Sequence, residues 1–397
     1  MVQVIGGYSK SLYAVLGAVG FVALIDTSMI SPIIAAHARA LNADAFWAGL
    51  IAGSYSIVAI PMIVFAGYFS DILGRRRAMV IGMFGDLLAM TLYAISPTPS
   101  ILLTARFLHA VFDSFIVPSA LALIGDLFSS GVGRPLSFFW IFVAVAIVLG
   151  SGSSAGLVSA LGFQAVYAVV GALVAASLIA TLRGLPAPPV SGDSARGGAR
   201  VSGALARRVA VSVIGMLSMY LLIGGVVGTL PTILIDRFGL DERGAAAQIG
   251  LFMAISTAVS IPIFPISARL AGRRTPLVPL IIGLLASMTT ALALEFGAGL
   301  TLTRTLSAIV FGLALGTIIF SSSYLVVTLP KEVRGLGSGL NQSASLLGVA
   351  LGAPLTSLYV TMIGWAGVFI LFGAIPPLVA AILVLGVWRV VVRELKE

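Results

Sequence analysis

"GYFSDILGRRRA", residues 67–78, gathers charge in a chain that otherwise avoids it: Asp71, Arg75, Arg76 and Arg77 fall within seven positions, although charged residues make up only 9% of the 397. Long apolar segments flank the run on both sides. The whole chain is 59% hydrophobic, with a mean hydropathy of +1.13. Soluble domains average roughly 45–50% apolar and about 25% charged residues. A water-facing globule could not bury this much apolar surface, so the bilayer is the solvent that fits. The 45 glycines and 18 prolines agree, since both residues are more frequent in transmembrane helices than in soluble ones.

Several function classes drop out on composition. There is no cysteine, which excludes disulfides, thiolate chemistry and cysteine-held metals. Only two histidines, His37 and His109, make a structural zinc site unexpected, and no cofactor motif is present. The net charge of +9 rests on 20 arginines scattered singly or in short runs, a pattern that reads as membrane orientation rather than nucleic-acid binding. The first apolar stretch is longer than a signal-peptide core and lacks a small-residue cleavage site, so it is expected to remain as the first span.

A spanning helix needs about 20 apolar residues. Twelve stretches qualify, at about 11–36, 44–69, 77–96, 101–126, 135–160, 162–182, 209–235, 245–268, 275–295, 300–328, 335–361 and 365–388. The segment 183–208 is rich in Pro, Gly, Ser and Arg and divides the chain, so it is expected to link an N-terminal six-helix bundle, 1–182, to a C-terminal one, 209–397. Alternating sides place 18 Lys and Arg of the connecting segments and termini on one face and only Arg39, Arg237 and Arg243 on the other. This predicts both termini and the linker to be cytoplasmic. The halves also repeat: GRRR at 74–77 and GRRT at 272–275, Arg106 and Arg304, and Gly150 and Gly348 are each separated by 198 residues. The expected fold is therefore all-α and integral to the membrane, twelve helices in two pseudo-symmetric six-helix bundles.

With these features together, the chain resembles the major facilitator superfamily of secondary transporters over essentially its whole length. The family's loop signature, G-x-x-x-D-R-x-G-R-R, is matched by Gly67, Asp71, Gly74, Arg75 and Arg76, with Ile72 where the first Arg would stand. SARLAGRRTP is a weaker echo in the second half. Arg106 in LLTARFLHAVFD is similar to the arginine of proton-coupled members. The antiporter signature of the fifth helix is degraded, with Ser151 at its proline and Ser154-Ala155 at its glycine pair. The resemblance implies that Asp71 meets the start of the eleventh helix and that Arg75 pairs with Asp126, forming a cytoplasmic gate of Gly67, Asp71, Gly74, Arg75, Arg76 and Asp126. For Arg76 and Arg77 the plainer reading is orientation alone.

Ionisable residues inside a span are expensive and mark function by default. They are Asp26, Asp86, Arg106, His109, Asp113, Glu295 and Arg304. At about 1.5 Å per residue, Asp26 and Arg106 lie at similar depth. Arg106, His109 and Asp113 share one helix face by their i, i+3, i+7 spacing. Burial penalises a charged Asp and a nearby Arg restores it. Asp26 is thus the leading proton site, Arg106 its tuner and Asp113 the alternative carrier. The competing reading is a static buried ion pair. His109 by itself reads as a packed, hydrogen-bonded group. Asp86 reads as a structural contact, with the fourth span as one partner for it. Glu295 and Arg304, at one short turn, are candidates to pair with each other.

The expected substrate cavity includes Tyr55, Trp140, Met216, Tyr220, Arg304, Tyr324, Asn341 and Gln342. Its hydroxyls and apolar side chains suit a greasy or amphipathic molecule, and the two Asn and four Gln of the chain are too few for a sugar porter. Two transport readings stay open. One is proton-driven export of hydrophobic compounds, as in the drug–proton antiporters. The other is an organic anion exchanger or uniporter using Arg106 and Arg304. No nucleophile motif supports an enzyme. A small-molecule substrate, protons and the lipid bilayer are the expected partners of a monomer in the cell membrane.

Overall fold

The computed structural model describes residues 10–128, 131–186 and 203–395; of the expected linker 183–208, residues 187–202 lie outside these. The described residues form no strand, and they include twelve helices long and apolar enough to cross a membrane. The protein is an all-α integral membrane protein. Fourteen α-helices make up these spans and one short connector. They are α1 (Lys10–Ile30), α2 (Ile34–Ala40), α3 (Ala45–Leu73), α4 (Arg75–Ala94), α5 (Pro99–Asp113), α6 (Ile116–Leu127), α7 (Gly133–Leu161) and α8 (Phe163–Gly184), followed by α9 (Gly203–Asp236), α10 (Glu242–Arg273), α11 (Leu277–Gly297), α12 (Thr301–Val327), α13 (Arg334–Ile363) and α14 (Ile375–Glu394).

Three details depart from the hydropathy reading. The first span stops at Ile30 rather than continuing to 36. Pro32 disfavours the helical region for Ser31, and the chain restarts as the separate helix α2. The fourth span is two helices, α5 and α6, broken directly after Asp113. Pro118 explains the break, because its ring would collide with the carbonyl four residues back, at Ser114. The last span starts at Ile370, with a π-helical turn over Ile370–Ala374 before α14. Gly364 and Gly367, both at positive φ, hold the preceding residues out of helix.

Two compact units emerge. The first is Met1–Gly198 with Pro330–Gly339, and the second is Ala199–Leu329 with Leu340–Glu397. In the first, α1 packs on α7 and α8, α4 on α5 and α8, and α3 on α5. In the second, α9 packs on α12 and α14, α11 on α12 and α14, and α10 on α12. Four of these pairings correspond across the 198-residue offset: α4·α5 with α11·α12, α3·α5 with α10·α12, α1·α8 with α9·α14, and α4·α8 with α11·α14. The internal repeat read from GRRR and GRRT is therefore a repeat of packing as well.

Candidate functional site

The opening motif builds a junction in the first unit. Helices α3 and α4 meet at the single residue Gly74, with φ +90° and ψ 140°. Residues with a Cβ rarely adopt that conformation, so glycine permits the sharp reversal. The turn brings Arg75 back onto Asp71, to which its Nη1 donates. Asp71, 6% exposed, accepts from the Gly335 N–H at Oδ1 and the Leu336 N–H at Oδ2, both at 2.9 Å. These are among the first N–H groups of α13, which have no partner within their own helix and carry the positive end of its dipole. Gly67, one turn earlier, is what lets this segment approach: a Cβ there would lie 3.0 Å from Gly339 Cα, and one on Gly339 would lie 2.6 Å from the Ile63 carbonyl oxygen.

Arg75 reaches further. Its Nε donates to Asp126 Oδ2 at 3.1 Å, Nη1 to Ser70 Oγ at 3.2 Å and Nη2 to the Lys331 carbonyl at 2.6 Å. Asp126, near the end of α6, also accepts from Arg334. The structure thus brings Asp71, Arg75 and Asp126 together, and adds Arg334, which the sequence assigns to orientation alone. Arg76 turns away and donates to the Leu182 and Thr181 carbonyls near the end of α8.

A second constellation lies inside the first unit. Asp26 of α1, Asp86 of α4 and His109 of α5 are fully buried, and Arg106 and Asp113 of α5 nearly so. His109 Nε2 stands 3.4 Å from Asp26 Oδ2 and 3.6 Å from Asp86 Oδ1. Thr27 donates to Asp26 from its amide and, at 3.1 Å, from its hydroxyl. The Tyr55 hydroxyl donates to Asp113 Oδ2. The Arg106 guanidinium lies over the Tyr55 ring, 4.7 Å from its centroid, and its Nη2 donates to Ser31 Oγ at 3.2 Å. Among the described residues, its Nε and Nη1, both Asp86 oxygens and Asp113 Oδ1 find no hydrogen-bond partner.

This arrangement holds three carboxyls, one guanidinium and one imidazole away from water. Ionising all three acids would leave two charges uncompensated while the imidazole is neutral, and an unpaired buried charge costs several kcal/mol by order of magnitude. Asp26, His109 and Asp113 offer donor atoms within 4.8 Å of one another, so the charge on one bears directly on the protonation of the others. A cation could use the same donors, but the guanidinium beside them competes electrostatically for that place. Asp86 does contact the fourth span, through His109, and by that contact it joins the set around Asp26. Tyr55, expected in the substrate cavity, orients Asp113.

The second unit carries most of the other expected cavity residues. Met216, Asn341 and Gln342 are buried, and Tyr220 and Tyr324 half-buried, while Trp140 is buried in the first unit. Asn341 Oδ1 accepts from Ser212 Oγ at 2.8 Å. Glu295 and Arg304 do not pair. Glu295 accepts from the Gly367 and Phe369 N–H groups at 2.6 and 3.0 Å, where the chain turns into the last span. Arg304 donates to the Ala298 carbonyl at 2.6 Å, Thr301 Oγ1 at 2.9 Å and Gln248 Oε1 at 3.3 Å. The physical reason is proximity: each finds unsatisfied backbone groups at a neighbouring helix end.

The chain is similar in sequence and in fold to known proteins. Over 116 residues the chain is 34% identical to the multidrug efflux pump LfrA of Mycolicibacterium smegmatis, covering 28% of this chain. That match spans only 22% of the pump's own length. It is 26% identical over 409 aligned positions to the tetracenomycin C resistance and export protein of Streptomyces glaucescens, covering 87% of this chain and 74% of that one. The crystal structure of the human organic anion transporter MFSD10 (TETRAN) shares the fold, with a TM-score of 0.77 at 17% identity over 94% of this chain and 99% of that one. The family model of the Major Facilitator Superfamily matches residues 16–329. Twelve spans, repeated packing and the motif-built junction thus converge with these likenesses, and the chain belongs to the Major Facilitator Superfamily of membrane transporters.

Proposed function

We propose that this transporter exports hydrophobic or amphipathic small molecules in exchange for protons, by alternating access, as a monomer in the cell membrane with both termini cytoplasmic. The halves 1–182 and 209–397 would be the moving parts and 183–208 their linker. The observation that carries the reading is the buried set Asp26, Asp86 and Asp113, which shares its unit with one buried guanidinium, Arg106, and so has more acids than charge compensation for them. Such a set takes up and releases protons as its surroundings change. Asp26 is the proton site, Arg106 its electrostatic partner, and Asp113, held by Tyr55, the second carrier. The names of two relatives, a multidrug efflux pump and a resistance and export protein, support an exported, drug-like cargo. The exchanger reading is less favoured, because all three guanidinium nitrogens of Arg304 are engaged on local acceptors.

The test uses purified protein in liposomes with a pH-sensitive dye inside. Cationic dyes and lipophilic drugs should move protons in the wild type, and Asp26→Asn should abolish that movement. Proton flux that is absent in the wild type, or unchanged in Asp26→Asn, would sink the reading.

A further inference from the structure

Both histidines of the chain stand on one line of polar groups. His37 Nδ1 is hydrogen-bonded to the Tyr167 hydroxyl at 2.8 Å. The Tyr167 ring stacks on Tyr93, with centroids 5.0 Å apart and planes 13° from parallel. The Tyr93 hydroxyl is 3.4 Å from His109 Nδ1, and His109 Nε2 is 3.4 Å from Asp26 Oδ2. The helices place the line consistently. Tyr93 is one residue from the end of α4 and Tyr167 near the start of α8, so both sit at the end of the unit remote from Gly74. His37 belongs to α2, the connector between the first two spans.

We propose that His37, Tyr167, Tyr93 and His109 form the route by which protons pass between the α2 end of the first unit and Asp26. The proposal rests on the proton-coupled reading above and adds a path to it. Two features favour a route over plain packing. All four side chains are almost fully buried, so bulk water does not reach Asp26 along this line. Phenylalanine would stack equally well at 93 and 167, and a buried hydroxyl is unfavourable unless hydrogen-bonded. Here each hydroxyl is directed to a histidine nitrogen.

The transfer balances. A proton arriving at His37 Nε2 releases the Nδ1 proton to the Tyr167 oxygen, and that phenol passes its own proton onward. At the inner end Tyr93 gives its hydroxyl proton to His109 Nδ1, and the Nε2 proton goes to Asp26 Oδ2. One proton enters and one arrives. Across the stacked interval the route requires one water, which would take the Tyr167 hydroxyl proton and give one to the Tyr93 oxygen. The charged and titratable neighbours are few. Tyr167 of α8 faces His37; on α2 itself, Arg39 donates to the Ala43 carbonyl, and Asp44 of the α3 cap is exposed and accepts from Trp47 N–H. Tyr167 is also faced by Arg106, and Tyr93 by Arg106, Asp86 and Asp26. His109 is faced by Asp26, Asp86 and Arg106.

The experiment needs no cargo. Full-length protein in liposomes is subjected to a rapid pH jump, and the carboxyl C=O infrared band that disappears in Asp26→Asn reports protonation of Asp26. Tyr93→Phe, Tyr167→Phe and His37→Gln should each slow that band by roughly tenfold or more. Its final amplitude should be unchanged in the tyrosine variants, which keep the stacked rings. A structural role alone would alter amplitude or thermal stability and leave the rate as it was. An unaltered rate in all three variants overturns the route while leaving proton coupling standing. An Asp26 band that does not titrate at all overturns the proton-coupled reading itself.

Discussion

Replacing Asp71 with Asn removes one charge while keeping shape, and the structure says which bond breaks. Oδ1 accepts from two donors, Gly335 N–H and Arg75, whereas Oδ2 accepts from Leu336 N–H alone. The amide NH2 will therefore turn to the Oδ2 side, where it opposes one donor rather than two. Leu336 N–H then loses its acceptor at a nearly buried site. A hydrogen bond to a charged group contributes about 1.5–3 kcal/mol, and an orphaned buried donor costs about 1–3 kcal/mol. Because the two overlap, a net loss of about 3 kcal/mol is expected, in line with removing one partner of a buried ion pair. At about 1.4 kcal/mol per tenfold, amide exchange at Leu336 should accelerate roughly a hundredfold. The change at Gly335 should be smaller. Hydrogen exchange read by mass spectrometry on peptides covering 330–340 measures both. Exchange at Leu336 equal to wild type, or faster at Gly335 than at Leu336, would refute the reasoning.

Gly352→Ala should lower the melting temperature, because its Cβ would lie 2.9 Å from Gly224 Cα and 3.0 Å from Gly225 N on the α9 backbone. Overpacking of this kind costs about 1–3 kcal/mol, and an unchanged transition in differential scanning fluorimetry would contradict it. His37, outside the spans, is held below the usual histidine range by burial. The neutral form is thus favoured in the fold, so its contribution to stability is full above about pH 6.5 and declines as pH falls from there. The melting temperature of wild type should drop more steeply on acidification than that of His37→Phe, and parallel curves would rule this out.

Hydropathy made the spans legible because each helix must satisfy its own backbone in lipid, and that requirement is written locally. The breaks at Pro32 and Pro118 have local causes as well, but proline alone does not mark them, since Pro61, Pro231, Pro262, Pro265 and Pro354 lie inside unbroken helices. The cluster was half legible. Arg106, His109 and Asp113 share a helix face by spacing alone, but the arrival of Asp86 depends on how α4 packs on α5, which spacing does not encode. Tyr93 and Tyr167 are illegible in the sequence for the same reason, since one aromatic among many apolar residues carries no sign of its neighbour. Arg334 was absorbed by the orientation rule, which explains any connecting arginine and so separates none. For Arg334 the signal lay in the position of α13's first N–H groups, opposite a carboxylate that orientation does not need.

Three buried carboxyls set against one buried guanidinium have room for two protons before their charge is cancelled. For a carrier that exchanges protons for cargo, this is an electrical quantity. Each charge moved across the bilayer exchanges about 2.3 kcal/mol with the membrane field per 100 mV. Two protons exchanged for one monovalent cation move one net charge per cycle, and two exchanged for an uncharged molecule move two. The same buried cluster would then draw on voltage as well as on acidity, in a proportion set by the charge of whatever molecule it carries.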